Sequence, residues 1–158
     1  MKNDISAIGN ALVDTVFKVE HSLINELGLE IDQMTLSSAE DHAPIIERLI
    51  ASGADTVSDC GGSATNSLVA AASFGAKCFH TCKVSDDQDG IRYLESLKKA
   101  GVGHKGNMAN AKTVPTGKCL ILVTPDAKRT MTTALNVSSL MDENDLDLDQ
   151  IANSKIFY

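Results

Sequence analysis

Residues 60–77 read CGGSATNSLVAAASFGAK. Two glycines, a serine and an asparagine stand directly before an alanine-rich run that predicts a packed helix from Ser63 to Phe74, stopped at Gly75. A plain connection needs one turn glycine at most. A helix N-terminus presents unpaired N–H groups and a partial positive charge. Glycine lets a ligand approach the backbone closely, because no Cβ intervenes. Asn66, in the first turn, offers one acceptor and two donors. Gly62, Ser63 and Asn66 therefore suit a polyhydroxylated ligand, whose hydroxyls need both kinds of partner. A tight turn with an ordinary cap satisfies the spacing as well, and on this stretch alone both readings stand.

Upstream, DISAIGN predicts a short buried strand ending at Gly9. In ALVDTVFKVE, Val13, Thr15, Phe17 and Val19 alternate with Leu12, Asp14, Val16, Lys18 and Glu20, the pattern of a strand with one covered face. Asp14 shares a face with Leu12 and Val16, where a carboxylate is costly unless paired. Two vicinal hydroxyls would satisfy it; an exposed strand end would also tolerate it. SLINELGLE predicts a helical turn or two stopped by Gly28, and IDQMTL is extended. Ser37 to Glu40 has capping-box spacing and opens a helix closed by Gly53. After the short extended piece DTVSDC come the glycines and their helix, and then AKCFHTCKV, which predicts a strand. Ser85 to Gln88 repeats the capping spacing before DGIRYLESLKKAG, whose basic end and Gly101 suit a helix C-terminus. Two β-rich runs flank Pro125 to Lys128, a hairpin signature. The acidic MDENDLDLDQIANS predicts a loop and short helix, and KIFY a new strand. Alternating helices and strands predict an α/β layered sheet with a small β appendage. Because KIFY opens a strand with no polar tail after it, the chain reads as one half of a larger sheet.

The chain has 158 residues, enough for one domain with a sizeable core. Its net charge is −7, so no polybasic surface invites nucleic acid or anionic lipid. Six aromatic residues, none of them Trp, argue against stacking platforms for single strands. The expected partners are small molecules. No apolar run is long enough to span a membrane. Cys60, Cys78, Cys82 and Cys119 lack redox or zinc spacing, and no signal peptide precedes them, so reduced thiols in a cytoplasmic protein are expected. His21, His42, His80 and His104 have no metal-like spacing. DLDLDQ at 145–150 mimics a calcium loop, but Gln150 stands where glycine is required and Ile156 where the bidentate Glu belongs. No metal site is expected. There is no Walker A motif, and Gly9 opens no dinucleotide fingerprint.

Taken together, AIGNALVD, CGGSATNS, VSDDQDG and PTGKCLILVTPDAKRTM resemble, in order and spacing, the N-terminal half of ribokinase-like (PfkB-type) carbohydrate kinases. Within that family they look closest to the adenosine kinases, and the likeness covers essentially the whole chain. Each motif alone is weak; the combination is specific. Ser85 departs from the glycine usual in the third motif, and Leu68 replaces a small residue, as adenosine kinases tend to do.

The resemblance implies a three-layer ribokinase-like α/β core, partial in this chain, with a small β-sheet lid formed by segments of about 11–36 and 113–136. It implies transfer of the ATP γ-phosphate, with Mg²⁺, to the primary hydroxyl of a nucleoside or ribose-type sugar. Asp14 would accept from the ribose hydroxyls, with Gly62, Ser63 and Asn66 holding the same edge and Asn10 and Leu12 lining the pocket. Gln33 matches a position near the base, or is a polar strand residue. Cys119 faces substrate, or is a buried core thiol. Arg129 resembles an arginine over the transferring phosphate, a role guanidinium suits. The family's general base lies in a DTxGAGD-like motif, and no such stretch occurs in this sequence. A non-catalytic module that keeps the sugar pocket, or a fructose or ribose kinase, are the alternatives. Val13, Phe17, Ile121 and Val123 are expected on an exposed apolar lid face, which leaves a monomer or a lid-paired homodimer open.

Overall fold

A computed structural model describes residues 2–110 and 112–158. Among them two sheets form. The first is wholly parallel, in the order β6-β5-β1-β9, built from β1 (Asn3–Ile8), β5 (Cys78–Ser85), β6 (Gly103–Ala109) and β9 (Ser154–Phe157). Helices α3 (Ser63–Ser73) and α4 (Gln88–Lys99) connect its strands, as parallel neighbours require. Their apolar faces meet it in one core: Ala7, Leu68, Cys82, Val84, Tyr93 and Leu97 are buried together. The short α5 (Leu148–Ala152) leads into β9.

The second sheet is mixed, in the order β3-β8-β7-β2-β4, from β2 (Leu12–Lys18), β3 (Met34–Leu36), β4 (Thr56–Gly61), β7 (Gly117–Val123) and β8 (Arg129–Ala134). Strands β7 and β8 are the expected hairpin, paired antiparallel from Lys118–Ala134 to Val123–Arg129. Strand β4, which reads as a mere connection, is this sheet's edge and pairs with β2 over six residues. Helices α1 (His21–Glu26) and α2 (Ala39–Ala51) cover the back of the sheet, where Phe17, Leu23, Ile24, Leu49, Leu120 and Leu122 form a second core.

That cover corrects one expectation. Val13 and Phe17 are 1% and 4% exposed and point into the two cores. The open apolar face is the opposite one, where strand alternation and register group Val16, Ile121, Met131 and Met34 with Val57, which is 71% exposed. Two helix starts also lie later than expected. Ser38, not Ser37, caps α2: its hydroxyl accepts from the Asp41 N–H at 3.1 Å, and Asp41 accepts from the Ser38 N–H at 2.9 Å. Ser37 is engaged by β8 instead, donating its N–H to the Thr133 carbonyl at 2.9 Å. Asp87, not Ser85, caps α4, because Ser85 is the last residue of β5. Strand β6 was not foreseen; it pairs with β5 over seven residues.

Candidate functional site

The diglycine corner lies where the two sheets meet, between the end of β4 and the start of α3. Gly62 sits at φ +100°, and a Cβ there would fall 2.4 Å from the Asn10 carbonyl oxygen. A side chain at this position would strain the backbone and displace the turn after β1. Gly61 has a different task. A Cβ there would lie 2.1 Å from Cγ of Asp14, so the missing side chain is the seat of the Asp14 carboxyl group. The glycines are thus required by the corner itself before any ligand is considered.

Register assembles the rest. Asp14 lies opposite Cys119 of β7 on one side and Asp59 of β4 on the other, all on the open face. Leu12 is one same-face step away, beside Gly61 and Gly117. Cys119 is buried and accepts a hydrogen bond from the Thr133 hydroxyl at 3.2 Å, so it forms part of the floor. Among the described residues, no hydrogen bond or ion pair engages the Asp14 carboxylate. Burial, and then the charge of Asp59, push it up to about 6. An uncompensated, half-buried carboxylate costs stability unless a donor arrives from outside the fold. Ser63 and Asn66 occupy the first turn of α3 with exposed side chains, and Asn66 donates its N–H to the Gly62 carbonyl at 2.9 Å. The phenol of Tyr158 is hydrogen-bonded to Ser63 and Ser67, which lowers its pKa.

Beneath the corner, a buried polar chain braces α3. The Thr65 hydroxyl lies 2.6 Å from the Tyr93 hydroxyl and 3.3 Å from Nε2 of His80, whose Nδ1 is 3.4 Å from the Ala7 carbonyl. Burial pushes His80 down to about 4, so the ring stays neutral. A second brace joins VSDDQDG to the start of β7. The Asp87 carboxylate accepts from the N–H of Gly90 at 2.7 Å, and from the N–H and hydroxyl of Thr116 at 2.8 and 2.6 Å. Ser85, in the place of the expected glycine, donates its N–H to the Thr116 hydroxyl at 2.9 Å.

Asn10, Leu12, Asp14, Gly62, Ser63, Asn66 and Cys119 are therefore brought to one corner. Gln33 and Arg129 are not. Gln33 precedes β3, three strands from β2, roughly 14 Å at the usual strand spacing. Its carbonyl accepts the Met131 N–H at 2.8 Å, and its side chain is exposed. Arg129 opens β8 opposite Val123, on the same face as Asp14 but about 13 Å further towards the hairpin tip. Two grooves lie away from the corner. One of about 560 Å³ runs behind the second sheet between α1, Arg48 and Pro125. Another of about 430 Å³ is lined by Leu36, Glu40, Pro115, Thr133 and Leu135. Asp59, the seat at Gly61 and the Tyr93 brace were missed from sequence; the adjacency of Asp59 to CGG was their one visible signal.

Residues 30–158 match the pfkB family of carbohydrate kinases. No curated protein matches the chain significantly. Among solved structures, the adenosine kinase of Sinorhizobium meliloti superposes with a TM-score of 0.84 at 31% identity, over 100% of this chain and 47% of that one. A probable sugar kinase from Rhizobium etli gives 0.86 at 27% identity, over 100% and 47%. The adenosine kinase of Anopheles gambiae, solved with P1,P4-di(adenosine-5) tetraphosphate, gives 0.84 at 25% identity, over 100% and 48%. The chain spans about half the length of these relatives, and its α/β fold matches the ribokinase-like fold they share.

Proposed function

The chain belongs to the pfkB family of carbohydrate kinases, and from that premise we propose that it supplies the substrate-binding half of a kinase. The reaction is phosphorylation, by ATP, of the primary hydroxyl of an adenosine-like nucleoside or a ribose-type sugar. One observation carries the substrate class: the Asp14 carboxylate, half-buried over Gly61 with no protein donor, beside the first turn of α3. A carboxylate accepts from two vicinal hydroxyls at once. Asn66 and the exposed N-terminus of α3 add a donor edge, and Leu12 and Cys119 an apolar floor. The nucleoside reading over a plain sugar is supported by the two adenosine kinases among the relatives and by the apolar surface that continues from Cys119 towards Met131 and Met34.

These residues bind and orient; they do not activate the attacking hydroxyl. ATP and Mg²⁺ would supply the phosphoryl group and its charge neutralisation. The described residues do not fit either as a complete site. No group of three or more His, Cys, Asp or Glu side chains among them is placed to hold a metal ion. Arg129 is the side chain proposed to meet the transferring phosphate, and the general base is not among this chain's motifs.

Titration calorimetry with adenosine and ribose tests the reading in Asp14→Asn and Asn66→Ala variants. Hydrogen bonds to a charged acceptor imply about 10- to 100-fold weaker binding for Asp14→Asn, and about 3- to 10-fold for Asn66→Ala. Affinities equal to the parent's in both variants would sink the assignment.

A further inference from the structure

The cross-strand pair formed by Asp14 and Asp59 is unusual for its site. Two aspartates are paired directly opposite on β2 and β4, on one open face, where like charges destabilise a sheet. Asp59 is exposed and turned by its own backbone: its Oδ1 accepts the Cys60 N–H at 2.7 Å. Among the described residues, no ion pair engages either carboxylate. Beyond Asp59, the titratable groups placed near enough to feel the Asp14 charge are the Cys60 thiol of β4, the Cys119 thiol of β7 and the Tyr93 phenol of α4. Helix α3 has no charged residue, and the ammonium of Lys118 on β7 is committed to Asp89 at 2.7 Å. Among the described residues, every titratable group that feels the Asp14 charge is therefore acidic or neutral.

We propose that Asp59 is a positioning residue that tunes the pH range over which Asp14 captures the hydroxyls of its ligand. The proposal rests on the reading of Asp14 as the hydroxyl acceptor. A deprotonated Asp14 accepts from two vicinal hydroxyls, whereas the protonated acid has lost one of those acceptors to its own O–H. Asp59 opposes the deprotonated form through space, without touching the ligand. Affinity for a vicinal diol then rises with pH to a plateau, and the midpoint of the rise is raised by Asp59. Burial contributes the larger part of the displacement of Asp14 and Asp59 the smaller.

The test is an adenosine-binding profile from pH 4.5 to 8.5 for the parent and Asp59→Asn, with the Asp14 carboxyl carbon followed by NMR in parallel. Asp14→Asn identifies that resonance, and its titration needs no ligand. Two unit charges about 5.5 Å apart in a water-like medium imply that Asp59→Asn lowers the midpoint by about half a pH unit, with about threefold tighter binding near pH 5 and the same plateau above pH 7. An unmoved Asp14 resonance midpoint overturns the role of Asp59, whatever the ligand does. A moved resonance with adenosine binding that is flat across the range leaves the electrostatic pair intact but overturns Asp14 as the hydroxyl acceptor, and with it the tuning of capture. A plateau lost in Asp59→Asn at pH 8 identifies Asp59 as a direct ligand contact and overturns its positioning role.

Discussion

Asp14 should make the unliganded protein less stable, and replacing it should show by how much. Its carboxyl is raised from 3.8 to about 6, by burial first and the Asp59 charge second. The native state therefore holds a proton that the unfolded chain has released, between about pH 4 and pH 6. Through that window parent stability falls as pH rises, and above it the loss is complete. At about 1.4 kcal/mol per pH unit, the full displacement is about 3 kcal/mol; solvent screening of a half-exposed group roughly halves it, to about 1.5 kcal/mol. Asp14→Asn keeps the shape over Gly61 and removes the charge. The variant should match the parent near pH 4 and exceed it by about 1.5 kcal/mol above pH 7, a melting temperature about 3–6 °C higher for a chain of this size. Urea denaturation of both proteins at pH 4.5, 6 and 8 measures this directly. A stability difference that does not change with pH would refute the reasoning, because only an ionising group strained by its site gives that slope. The same substitution weakens ligand binding, so stability and function would trade at one residue, as expected where a site is built for a missing partner.

Two further outcomes follow from the packing. Asp87→Ala removes the cap of α4 and leaves Thr116 without its acceptor, so the fold should lose about 2–4 kcal/mol at pH 7 by urea denaturation. Desolvation opposes the charge of Asp87, but the hydrogen bonds from Thr116 and Gly90 outweigh it and hold its pKa down; its contribution is present above the ordinary aspartate range and is lost as pH falls through the lowered value, so parent and variant converge in strong acid. Gly61→Ala should cost about 1–3 kcal/mol and at least tenfold in adenosine affinity, because the new Cβ takes the place of the Asp14 carboxyl. In an Asp14→Gly background the same change should be nearly free; equal costs in both backgrounds would show that Asp14 does not occupy that seat.

What could be read from sequence was local, and what could not was lateral. The β7–β8 hairpin is visible because Pro125 to Lys128 lies between two β-rich runs, and α3 because its glycines and alanines are consecutive. Strand β6 escaped because GHKGNMA has no β-branched residue; its partner β5 makes it a strand, with Gly106 left bare so that Leu94 of α4 can lie 2.5 Å from where a Cβ would be. The alternation of β2 shows two faces without saying which is covered. That choice is made by Ile24 and Leu49, on helices joined through separate loops, which bury Phe17 and leave Val16 outside. The site divides in the same way. Asp14 and the CGGSATN run are each conspicuous and are expected at one edge; what the sequence does not show is that the bareness of Gly61 is already needed by Asp14. Asp59 and Asp14 are opposite only because β2 lies between β4 and β7, a register no local pattern records. A carboxylate in an alternating strand and a glycine before a helix are each ordinary. They become one device only when an antiparallel pairing lays the first across the second, and a single Cβ would be enough to separate them.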